Sequence, residues 1–268
     1  MNSYELMIKI NHALIKGDKP SNDHINKIVE RLLSDSVINK KQVGRCTRVG
    51  FSSNYDKGTS GIYPVFYIPP YNNGKKLETI LGQTPKTQIL SANMYELEIL
   101  RLLYIFAPEN NDVKKMISMT LERLKNTCFG YMDDGKGECF DASLVVLRFL
   151  ASAARNENQW IKSRIDNFNR HYGDKKRPWY SLYYYWLCLS ELPSDISKSE
   201  TEKYKDEILD RLINRRLPYN GENDRLINPV IICILRNVIS KYPEYYYIRK
   251  RQPYLNDRDG RLCFDMSI

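Results

Sequence analysis

Hydrophobic residues in this chain recur mostly at helical spacing. Tyr4, Leu6, Met7, Ile10 and Leu14 fall on one face of a helix, and Ile25, Ile28, Val29, Leu32 and Leu33 on one face of a second. Gly17, Asp18, Lys19 and Pro20 interrupt the pattern, after which Ser21 or Asn22 offers a capping side chain. Residues 1–40 are therefore predicted to form an antiparallel helix pair. From residue 77 onward the same periodicity predicts helices over 91–106, 113–125, 141–154, 159–168, 180–189, 203–213 and 228–240, separated by short polar stretches.

Residues 43–76 differ in kind. Gly44, Gly50, Gly58, Gly61, Pro64, Pro69, Pro70 and Gly74 are too frequent for a long helix, while residues 62–68 (IYPVFYI) have β-type composition. The segment reads as a long ordered loop with a short strand or helix. Connections of this length inside a domain are usually functional or serve as lids. Arg45, Arg48 and Lys57 beside its glycines suit an anion contact, although there is no P-loop or GxGxxG pattern. A loop that merely covers an opening is the plainer reading.

The helical part carries a repeat. Tyr131, Tyr172, Tyr219 and Tyr254 align in one column at successive spacings of 41, 47 and 35 residues, each followed by a polar loop. About ten residues further on stand Asp141, Ser181, Asn228 and Asp265, helix-capping types from which an apolar helix is expected to start. One helix of each pair carries charge (Lys114, Lys115, Glu122, Arg123 in the first), whereas its partner is nearly uncharged, as in SLVVLRFLASAA, SLYYYWLCL and NPVIICIL. A helix apolar on all sides must be buried on all sides. The predicted fold class is all-α: repeated helical hairpins forming an incomplete α/α toroid or a short superhelical array, within a single domain over 1–268. In a ring, the loops that lead into inner helices gather at one mouth of a central cavity.

Hairpins joined through a Gly/Asp loop, with Cys139-Phe140-Asp141 and again Cys263-Phe264-Asp265 after it, resemble the α/α-toroid group over roughly residues 77–268. The nearer branch is that of terpenoid cyclases and protein prenyltransferases; toroid glycosidases and polysaccharide lyases are more distant. The resemblance implies an enclosed cavity and an isoprenoid or sugar substrate. The catalytic signatures of that group are missing. Cys263 precedes Asp265 where the zinc site has the reverse order, the histidines are His12, His24 and His171, and Asp133-Asp134-Gly135 does not make a DDxxD motif.

Candidate chemistry is correspondingly spare. Asp141 and Asp265 would stand at the mouth as an acid–base pair or as ligands of a metal-bound diphosphate, with His171 nearby as the only histidine of the repeat region. A capping role, contributing about 0.5–2 kcal/mol, explains both aspartates without chemistry. Trp179, Tyr180, Tyr183, Tyr184 and Trp186, joined by Tyr131, would line the cavity as an aromatic wall for a carbocation or a sugar ring, unless they are simply core. Asp133, Asp134 and Glu138 crowd together without calcium-loop spacing and read as a solvated turn. No metal or cofactor is assigned.

Composition adds an electrostatic expectation. The formal net charge is +9, with clusters at Lys175, Lys176 and Arg177, at Arg215 and Arg216, and at Arg249, Lys250 and Arg251. An anionic ligand or nucleic acid is the expected company, although a solvated basic surface would suffice. The six cysteines form no CxxC pair and read as buried thiols. No apolar run is long enough to span a membrane, so a cytoplasmic location is expected. Two functions stay open: an enzyme with an aromatic-lined cavity acting on an isoprenoid or sugar, and a non-catalytic basic helical-repeat module binding nucleic acid or a partner protein. A cavity holding two or more carboxylates favours the first.

Overall fold

A computed structural model describes residues 1–36, 65–66, 77–131, 137–172 and 177–267. The protein is predominantly helical. Its elements are α1 (Ser3–Lys16), α2 (Asn22–Ser34), α3 (Gln88–Phe106), α4 (Asn111–Lys125), α5 (Glu138–Ala153), α6 (Asn158–Tyr172), α7 (Trp179–Glu191), α8 (Ser194–Asn214) and α9 (Glu222–Ile239). A 3-10 helix (Pro243–Ile248) and a hairpin of β1 (Tyr254–Leu255) and β2 (Leu262–Cys263) follow. The long loop predicted over 43–76 lies outside the described residues, apart from Val65 and Phe66, which are buried.

The chain divides into two compact units. The first comprises Met1–Asn11, Pro20–Thr79 and Gln83–Lys175. Here α3 is buried along most of its length because it is apolar on nearly every side, and it packs along α5 and against α2 and α4, while α6 packs on α5. α4 is amphipathic, and starts where Asn110 Oδ1 accepts from the backbone N–H groups of Asp112 and Val113. Charges buried in these helices are paired. Arg123 Nη2 lies 2.8 Å from Glu96 Oε2, and Glu98 meets Arg148 Nη1 at 2.8 Å and Arg101 Nε at 3.1 Å. Arg148 in SLVVLRFL and Glu96, Glu98 and Arg101 in α3 interrupt apolar helices, and those interruptions were the readable signal for this buried network.

The second unit comprises His12–Lys19, Ile80–Gly82 and Lys176–Ile268. α7, α8 and α9 pack on one another, and the 3-10 helix packs on α9. Tyr185 donates to Glu200 Oε2 at 3.0 Å within this core.

Helix starts depart from the expected column of caps. α5 begins after Gly137, whose φ of 56° suits a residue without a Cβ, so Asp141 lies in the first turn and not at the cap. α7 starts after Pro178, and α9 after Gly221, running through Pro229; Ser181 and Asn228 are therefore inside their helices. Among the described residues no helix opens at Asp265. The preceding residues form a hairpin instead, because Asn256 and Asp259 turn the chain with their side chains, accepting from the N–H groups of Arg258 and Arg261, and Gly260 takes φ 63°. Tyr254 then pairs with Cys263 and Leu255 with Leu262, and Leu262 also bridges to Leu217.

Candidate functional site

The sequence-derived candidates occupy varied places. Asp141 is partly buried in the first turn of α5, where its neighbour Phe140 stacks on His171 with ring centroids 3.9 Å apart. Asp265 is exposed in the second unit, where its carboxylate accepts from the Ser267 N–H and hydroxyl, and these bonds hold its pKa below the usual range. Tyr180, Tyr183, Tyr184 and Trp186 are buried in the α7 core, whereas Trp179 and Tyr131 are 41% and 55% exposed. Asp133 and Asp134 lie outside the described residues, and Glu138 accepts from the backbone N–H groups of Lys86 and Thr87. Cys188, Cys233 and Cys263 are buried thiols, and Cys128 and Cys139 are partly buried. Among the described residues no group of three or more His, Cys, Asp or Glu could hold a metal ion, and no helix is long and apolar enough to cross a membrane.

A different site emerges in the second unit. A cavity of about 490 Å³ is lined by Arg236, Lys241, Arg249, Glu191, Tyr246 and Ser194, among others. Its two inner cations are positioned by helix ends. α1 closes in a Schellman arrangement: the Asp18 N–H bonds Ala13 O at 2.9 Å and the Gly17 N–H bonds Leu14 O at 3.1 Å, with Gly17 at φ 97°. That leaves the Ile15 and Lys16 carbonyls, and Arg236 Nη2 donates to both, at 3.2 and 3.0 Å. Asn237 Nδ2 and Gln252 Nε2 complete the set at 2.8 and 2.9 Å. The guanidinium thus sits at the negative end of the α1 dipole while being only 1% exposed.

Lys241 does the same for α7. Its Nζ donates to Leu189 O at 2.5 Å, to Leu192 O, and to Ser197 Oγ at 3.2 Å. Burial pushes the Lys241 ammonium down to about 8, with the Glu191 carboxylate opposing that fall. Every one of these hydrogen-bond acceptors for Arg236 and Lys241 is a neutral oxygen. Two cations are therefore held close to a cavity by dipoles, in a place where isolated charge is costly. Ser194 brings the start of α8, which has no side-chain cap, to the same wall. Arg249 is exposed at the rim, its guanidinium 5.5 Å from the centroid of the Tyr246 ring.

Asp141, Asp265, His171 and the aromatic residues of α7 do not line this cavity. Its residues come from distant stretches, none of them a motif. The readable hints were an arginine ending the apolar run of α9 and the basic cluster at Arg249. No known protein family, curated protein or solved structure matches the chain.

Proposed function

We propose that the protein is a helical binding module whose second unit holds a small phosphate-bearing anion in this cavity. The observation that carries the reading is the lining itself: Arg236, Lys241 and Arg249 against the single carboxylate of Glu191, at a volume typical of small-molecule sites. The start of α8, which has no side-chain cap, adds a favourable dipole. Three cations face one carboxylate in the lining, so anion binding is supported over catalysis. An isoprenoid or sugar substrate draws less support, since most of the α7 aromatics are packed in the core. The alternation of buried helices (α3, α5, α7, α9) with more polar ones along the chain supports a helical-hairpin repeat.

Isothermal titration of the full chain with pyrophosphate is expected to show saturable binding. Arg249→Glu should weaken it roughly tenfold or more, because it replaces a rim cation by a like charge to the ligand. Arg249 is exposed, so the fold is kept. Absence of pyrophosphate binding, or affinity indifferent to Arg249→Glu, would refute the proposal.

The pH dependence has a definite sign. Below pH 8 Lys241 is protonated and attracts the anion; as pH rises through about 8 that attraction is lost. Arg236 and Arg249 keep their charge throughout, and Glu191 is the carboxylate facing Lys241. Sulfate, whose own charge is constant in this range, is expected to bind more weakly at pH 9 than at pH 7. The same titration with Lys241→Met should be flat.

A further inference from the structure

The rim of the cavity carries more information than charge. Tyr246 is 60% exposed although it is a large aromatic residue, and it lies on the cavity lining together with Arg249. Arg249 holds the ring from one side, through a guanidinium 5.5 Å from its centroid and an Nη1–H donated to the Tyr246 hydroxyl at 3.4 Å. The 3-10 helix that carries Tyr246 is fixed by Ile248, which is buried, and by Tyr247, whose hydroxyl donates to Met266 O at 2.7 Å. The ring is thus supported in place and still open to solvent. A flat aromatic face next to a guanidinium, at the mouth of a cationic cavity, matches a ligand with a planar ring at one end and phosphate at the other.

We infer that the ligand of this cavity is a mononucleotide, with its phosphates toward Arg236 and Lys241 and its base stacked on Tyr246. This inference rests on the anion-binding reading above and adds the base to it. Stacking of a base on an aromatic side chain is sequence-tolerant and contributes enough to raise affinity roughly tenfold or more. A nucleic-acid strand would also offer bases and phosphates, but a pocket of about 490 Å³ has the size of a small-molecule site and so favours a single nucleotide.

The test compares ADP with pyrophosphate on the full chain by isothermal titration, which isolates the contribution of the nucleoside. ADP is expected to bind about tenfold or more tightly. Tyr246→Ala should bring the ADP and pyrophosphate affinities to near equality, whatever its effect on pyrophosphate through Arg249, and Tyr246→Trp should restore the advantage of ADP. Equal affinities for ADP and pyrophosphate in the unaltered chain would overturn the nucleotide inference and leave the anion site standing. Binding of neither would overturn both. Binding of a single-stranded oligonucleotide but not of ADP would also overturn it, in favour of a strand-binding surface.

Discussion

Replacing Arg123 with Leu is expected to destabilise the first unit by about 3–5 kcal/mol, as is usual when one partner of a buried ion pair is removed. Arg123 and Glu96 are 2% and 1% exposed, and the guanidinium also donates to Asn93 Oδ1 at 3.2 Å. Without it, the Glu96 carboxylate keeps the Val65 N–H, a single neutral donor at 3.0 Å, as its described partner. The cost arises from a stranded charge and not from the value of the bond, so a second replacement should reverse most of it. Glu96→Gln in the Arg123→Leu background removes the charge while leaving a carbonyl oxygen for Val65. Urea denaturation followed by circular dichroism gives both numbers. A loss below about 1 kcal/mol for Arg123→Leu alone would mean that water reaches Glu96.

Trp186→Ala is expected to cost the second unit about 3–5 kcal/mol. The indole is fully buried, edge-on to Tyr183 with centroids 5.1 Å apart and near Tyr204 at 6.1 Å, and the Arg211 guanidinium lies 5.4 Å from its centroid. Its volume and contacts are what would be lost, because Nε1 has no hydrogen-bond partner among the described residues. Trp186→Phe therefore strands nothing polar and should cost much less than Trp186→Ala. Thermal unfolding of the two variants separates volume from hydrogen bonding; equal losses would show that the N–H has an essential partner.

Periodicity revealed where helices lie, since apolar faces are written locally. The seven predicted helical segments after residue 77 each correspond to one of α3 to α9. Their first residues were harder to read. A search for Asp, Ser and Asn caps passes over Gly137, Pro178, Pro193 and Gly221, which open helices through backbone geometry with no side-chain bond. The repeated Cys-Phe-Asp shows the limit more sharply. At Cys139 the tripeptide lies in the first turn of a helix; at Cys263 it begins in a strand, because Tyr254 and Leu217 offer backbone partners to Leu262 and Cys263. Identical residues took different structures through contacts that no local pattern contains. The cavity was hidden for the same reason: Gly17, Glu191, Arg236 and Tyr246 become neighbours only through the fold.

The bonds from Arg236 and Asn237 to Ile15 span 221 and 222 residues. Contacts this distant in sequence delay folding, because a long loop must close before they reward it. During synthesis, the carbonyls at the end of α1 wait, hydrated, until α9 has been made. The second unit therefore cannot be completed before α9, and the proposed ligand site comes into being with it.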